Sequence, residues 1–269
     1  MGAALFHYEY MRYAFACGAI IGVLCAIVGV YVILRGMSFL TVGISHSAIG
    51  GTAIGVATGS NPEAASFAYS MLVVWLIGLL SAGNRMKLDA AIGVLFTFSQ
   101  ALGIYIFSCN SSFRTDLNSY LFGSIIAVGK TQLIVALIAL AAIAVVVCGI
   151  YRSLNSMIFD QEFAKVCGVK VNALHYLLLI LTAVAVVCSM QIAGILLVSA
   201  LIVIPASSAR LLCKSMRSLM TASICFGVIS SVSGLVISYY TDSAPGPVIV
   251  MLSAVFFAVS WLVGRVLNK

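Results

Sequence analysis

Ser45-His46-Ser47 places an imidazole inside an uncharged stretch that runs from Gly36 to Pro62. Imidazole is a ligand for divalent transition metals and can sit neutral inside protein, which makes His46 a candidate transient ligand or relay for a cation. Ionisable groups within apolar segments are functional-site candidates by default. The plainer alternative is a histidine hydrogen-bonded to a neighbouring helix. Gly43-Ile44-Ser45-His46-Ser47 superficially resembles a hydrolase elbow, but its last residue is Ser instead of Gly. A serine adjacent in sequence to its histidine cannot form a productive dyad.

Other chemistry is excluded by what the sequence lacks. It holds no G-x-x-x-x-G-K-[ST] phosphate loop, so it does not bind ATP in that way, and no H-E-x-x-H of a zinc protease. We therefore expect no catalytic residues and no cofactor-binding residues.

A second group of informative residues lies in Arg152 to Lys170, one of the two longest stretches outside the apolar runs. Asn155 and Ser156 are candidate caps, Asp160 and Glu162 sit early, and Gly168 is a C-terminal stop, so short helices fit here. On such a helix Phe159, Phe163 and Val166 share one face at i, i+4 and i+7, with Asp160, Glu162 and Lys165 polar. That face suits docking of a soluble protein. The alternative is a helix lying on lipid headgroups, against which the two acids weigh, since acids gain nothing from an anionic leaflet.

The elements that must position these residues follow from composition. Hydrophobic residues make up 63% of the 269 positions and charged residues 8%, against about a quarter charged in soluble domains. Uncharged runs cover Tyr13 to Leu34, Gly36 to Pro62, Ala64 to Asn84, Ala90 to Phe113, Thr131 to Tyr151, Val171 to Ala209, Ser218 to Thr241 and Ser243 to Gly264. Each is long enough to span a bilayer, which takes roughly 20 residues. Val171 to Ala209 is about twice that length, and Gln191 with Gly194 offers a turn near its middle. The expected fold is an all-α polytopic membrane protein of about nine transmembrane helices, with eight as the alternative. It forms a single transmembrane domain over residues 1–269.

Lys and Arg accumulate on the cytoplasmic side of membrane proteins. With nine spans and an outside N-terminus, Arg35, Arg85, Lys87, Arg152, Lys165, Lys170, Arg210, Lys214, Arg217, Arg265 and Lys269 lie inside. Only Arg12, Arg114 and Lys130 lie outside. The formal charge of +7 is scattered in ones, twos and threes, which points to membrane orientation and away from nucleic acid. Met1 to Tyr13 lacks the basic n-region and cleavage site of a signal peptide, so the first apolar segment is expected to stay in the mature protein. The eight cysteines are spread singly without framework spacing and read as small hydrophobes. Gly51, Gly55 and Gly59 form a repeated G-x-x-x-G for close helix packing. Pro205 is expected to kink its helix near the inner end.

Taken in order, several segments resemble one family. They are Val32 to Leu40 with Ser45-His46, Asp89 to Phe96, Tyr120 to Ile125, Phe159 to Ala164 with Gly168-Val169, Gly194 to Leu211, and Ser238-Tyr239-Tyr240 before Pro245-Gly246-Pro247. The chain resembles, nearly end to end, the membrane permease of ATP-binding-cassette (ABC) importers for zinc and manganese. The resemblance implies a homodimer of permeases, two separate cytoplasmic ABC ATPase subunits and an extracytoplasmic metal-binding protein. ATP would be used only through the ATPase partner, in a bacterial cytoplasmic membrane.

It also implies a metal role for His46 and an ATPase-coupling segment within 152–170 carried by Asp160, Glu162, Phe163 and Gly168. Family members commonly carry an Asp four residues before that histidine, where this chain has Val42. Losing a carboxylate ligand tilts the expected cargo slightly from manganese toward zinc. Thr41, Ser45 or the dimer mate would have to compensate. The expected function is the pore half of an ATP-driven importer of a divalent transition metal. An ion-gradient-driven transporter and a non-transporting sensor or assembly subunit are the alternatives.

Overall fold

A computed structural model of the chain describes residues 9–81, 86–109 and 128–267. Arg85, Arg114, Lys269 and the Tyr120 to Ile125 segment lie outside them.

The described residues are helical, in chain order α1 (Glu9–Leu34), α2 (Ser38–Thr58), α3 (Pro62–Ser81), α4 (Leu88–Cys109), α5 (Lys130–Gly149), α6 (Tyr151–Phe159), α7 (Gln161–Val166), α8 (Val171–Ala193), α9 (Ile195–Leu212), α10 (Met216–Thr241) and α11 (Pro245–Leu267). All but α6 and α7 are long and apolar enough to cross a membrane, nine spans among the described residues. The long run from Val171 is two helices, broken at Gly194, whose φ of 82° and ψ of 161° suit a residue without Cβ.

Helix starts follow local chemistry. Asn61 caps α3, its Oδ1 accepting from the Glu63 amide at 2.9 Å, and Pro62 occupies the first helical position, where no amide is needed. Ser215 caps α10 by accepting from the Ser218 amide at 3.2 Å. Hydroxyls inside the spans donate to carbonyls of their own helix, as Ser47 does to Gly43 (2.7 Å) and Thr52 to Ala48 (3.0 Å). An apolar surrounding offers them little else. All eight cysteines are free; Cys17 and Cys25 are buried, whereas Cys109, Cys148, Cys167 and Cys225 are exposed.

The chain divides into two compact units. One comprises Met1–Ile33, Asn118–Ala141 and Cys188–Lys269. In it α9, α10 and α11 pack on one another, and α1 crosses α10 so closely that a Cβ on Gly22 would lie 2.8 Å from the Gly227 carbonyl oxygen. Its core includes Cys17, Ile21, Leu24, Leu197, Val198 and Ile202, and α9 runs on through Pro205.

The other unit comprises Leu34–Leu117 and Ala142–Val187 and holds every residue singled out above as a site candidate. Its α2 packs against both α3 and α4. The small residues of α2 make this possible. A Cβ on Gly51 would stand 2.7 Å from Ser66 Cα, and one on Gly50 the same distance from the Ser99 carbonyl oxygen. The expected G-x-x-x-G is thus used at Gly51 and Gly55. Gly59 instead ends α2 in the left-handed region, φ 67°, with open space around it. Leu40, Ile44, Ala48, Val73, Ile77 and Ile92 fill the core of this unit.

Candidate functional site

His46 sits near the middle of α2, partly buried. Its ring meets the edge of Phe96 on α4, centroids 5.3 Å apart and planes at 82°. Phe96 also packs edge-on against Phe39. The His46 Nδ1 is buried and makes no hydrogen bond. A buried imidazole nitrogen without a partner is costly to keep, so the satisfied-histidine alternative does not describe Nδ1.

Residues four apart on a helix share a face, so Val42 and Gly50 flank His46 by one turn on either side. Val42 offers no ligand there. Of the two compensating oxygens named above, the Thr41 hydroxyl donates to the Ser38 carbonyl (2.8 Å) and the Ser45 hydroxyl to the Thr41 carbonyl (2.8 Å); both residues are fully buried. Neither is brought to the His46 face by helix geometry. Among the described residues no group of three or more His, Cys, Asp and Glu side chains is placed to hold a metal ion.

One turn along from His46 lies a polar pair that the sequence reading missed. Tyr69 on α3 donates its hydroxyl to Ser99 Oγ on α4 at 3.1 Å, and both residues close over Gly50. Ser99 lies three residues after Phe96, on the face of α4 that meets α2. A serine at that spacing inside an apolar run was the available signal.

The segment expected to couple to an ATPase forms two short helices, but Phe159, Phe163 and Val166 do not lie on a single one of them. Asp160 breaks the chain in extended conformation, φ −152° and ψ 111°. Its carboxylate caps α7 by accepting from the amides of Glu162 (2.9 Å) and Phe163 (3.0 Å). Asn155 and Ser156, expected as caps, instead lie inside α6, because the helix already begins at Tyr151. The break also divides the apolar face between the two helices. Phe159 ends α6 while Phe163 and Val166 belong to α7, yet all three stand free of the unit at 78%, 62% and 86% exposure.

Gly168 stops the segment as expected, with φ 80° and its amide donating to the Lys165 carbonyl. Leu154, Met157 and Ala164, each fully buried, pin the pair of helices to the unit. Lys165 and Glu162 form an exposed ion pair at 2.7 Å. A groove lined by Ser153, Gly168, Lys170 and Leu174 runs beside it.

The acids of the described residues all sit at helix ends. Glu9, Glu63 and Asp89 lie in first turns, Asp160 and Glu162 at the start of α7, and Asp242 at the end of α10. Among the described residues of this unit, Arg35 is the only charged side chain that is partly buried. Partial burial holds its guanidinium below the usual range, although arginine stays protonated at any working pH.

Nine apolar spans among the described residues, one of them holding a histidine with an orphaned nitrogen, and an exposed apolar face between two others define a polytopic membrane protein. Comparison with known proteins makes this specific. Residues 7–264 match the ABC 3 transport family, and the chain belongs to that family. It is 32% identical over 257 residues to the manganese transport system membrane protein MntC of Halalkalibacterium halodurans, covering 96% of this chain and 88% of the relative. It is 29% identical over 253 residues to the high-affinity zinc uptake system membrane protein ZnuB of Haemophilus influenzae, covering 94% and 97%. Among solved structures, PsaBC from Streptococcus pneumoniae in complex with Fab superposes with a TM-score of 0.85 at 32% identity, covering 96% of this chain and 93% of that one.

Proposed function

We propose that this chain is the membrane-spanning permease of an ABC importer that carries a divalent transition metal ion, manganese or zinc, into the cytoplasm. The observation that carries the reading is the family match along residues 7–264, among relatives named for manganese and for zinc transport. The missing carboxylate at Val42 argues for zinc, and the name of the 32% identical relative for manganese.

In this reading the chain is one permease domain in a bacterial cytoplasmic membrane, with its N-terminus outside and its C-terminus inside. Two copies form the pathway. His46 receives the ion through its free Nδ1, and His46 of a second copy supplies the further ligand that Val42 cannot. ATP hydrolysis belongs to two cytoplasmic ATPase subunits, which dock on Phe163, Glu162 and the capped start of α7 at Asp160. Gly168 lets the segment move as a unit. An external binding protein delivers the metal.

A gradient-driven transporter would carry acids or broken helices along its pathway. The acids seen here at helix ends speak against it. The test is uptake of radioactive manganese and zinc into proteoliposomes. Uptake is expected only when this chain, its ATPase and ATP are all present. Uptake that persists without ATP and collapses with the proton gradient supports the secondary transporter, and no uptake under any condition supports the sensor or assembly subunit.

A further inference from the structure

Arg35 follows the end of α1 and precedes Gly36, in the left-handed region at φ 66° with open space around it, and Met37, buried at 1% exposure. The first turn of α2 receives no side-chain cap from Met37. The orientation of this turn is thus set largely by what Arg35 and Met37 hold.

What Arg35 holds is the coupling segment. With the Gln161 amide turned so that its oxygen faces the guanidinium, that oxygen accepts from both Nη1 and Nη2 of Arg35, the latter at 2.8 Å. Gln161 is the first residue of α7, next to the Asp160 cap. Among the described residues no carboxylate pairs with Arg35, and the only ion pair is Lys165 with Glu162. Its Nε is buried without a partner, and its charge acts on His175 of α8, whose Nδ1 is also buried and unpartnered. A partly buried cation bound to a neutral amide is a poor choice for stability alone. Its planar fork does, however, fix one direction of approach.

We propose that Arg35 is a positioning residue that ties α7 to the α1–α2 turn, so that displacement of the coupling segment moves α2 and, with it, His46. The inference rests on the reading that an ATPase docks on α7 and that His46 meets the ion. Ser38 to His46 spans about 12 Å of continuous helix, a lever without an internal joint. Gly36 supplies the hinge at its base, where a left-handed residue with room around it can change its dihedrals.

The test uses the full complex with its ATPase in proteoliposomes, measuring ATP hydrolysis and metal uptake together. In Arg35→Gln and Gln161→Leu, ATP hydrolysis continues while ions moved per ATP fall about tenfold, the effect of losing one charge-assisted hydrogen bond. Gln161→Glu keeps an acceptor for the guanidinium and restores the ratio. Unchanged ions per ATP in the first two variants overturns the proposal. So does a matching loss in all three variants together with a lowered melting temperature, which a merely structural contact would give.

Hydrogen exchange reads the link without any cargo. ATPase and a non-hydrolysable ATP analogue are expected to alter exchange at residues 38–42 in the wild type but not in Arg35→Gln. If the wild type moves no metal with ATP, the functional reading fails, and the exchange comparison still decides the link. An equal exchange response in the variant overturns it.

Discussion

At the scale of single residues, the proposed metal role of His46 rests on what its helix face offers. Nδ1 is available, Phe96 fixes the ring, and Val42 stands one turn away where a carboxylate would complete a pair of ligands. Hard oxygen ligands favour manganese, imidazole favours zinc. Val42→Asp is therefore expected to raise manganese uptake relative to zinc severalfold, read by competition between the two radioactive ions; an unchanged ratio would separate position 42 from selectivity. His46 was legible in the sequence because a histidine in an uncharged run stands out. The Tyr69–Ser99 pair was signalled only by the spacing of Ser99 from Phe96, because which face of α4 meets α2 is set by packing at Gly50.

At the scale of elements, α2 depends on close approach to its neighbours, and α7 depends on its cap. Gly50→Val would drive a side chain into the Ser99 backbone, at a cost of about 1–3 kcal/mol for overpacking. A lowered melting temperature in detergent checks this, and unchanged stability would mean that α4 can move away. On α7, Asp160→Ala loses the cap at about 1 kcal/mol, whereas Asp160→Asn keeps it. ATPase affinity is expected to fall in the first and hold in the second.

Glu162→Arg leaves the cap untouched and reverses the surface charge. Release of the ATPase from purified complexes is expected, and retained ATPase with unchanged turnover would count against docking there. The break at Asp160 was hidden in the sequence. The i, i+4, i+7 spacing of Phe159, Phe163 and Val166 reads as one continuous helix, and only the Asp160 cap shows that these residues are divided between two helices. Gly194 was the opposite case. Its run was too long for one span, so length alone demanded the turn.

At the scale of the whole molecule, the nine spans among the described residues and the distribution of Lys and Arg are the basis of the proposed orientation, N-terminus outside and C-terminus inside. A reporter fused after Lys269 is expected to be active only in its cytoplasmic form; activity of an external reporter there would reverse the orientation. The division into two compact units was not legible, because the apolar runs of both units are alike in composition and no linker marks the boundaries.

The central claim is that ATP hydrolysed by a partner drives a metal ion through a pathway containing His46. It is tested most directly by reconstituting wild type and His46→Ala with the same ATPase and recording metal accumulation and ATP hydrolysis side by side. The account predicts ATP-dependent accumulation by the wild type, and intact ATPase association and hydrolysis without accumulation by the variant. Equal accumulation by His46→Ala, or accumulation by the wild type in the absence of ATP, would contradict it.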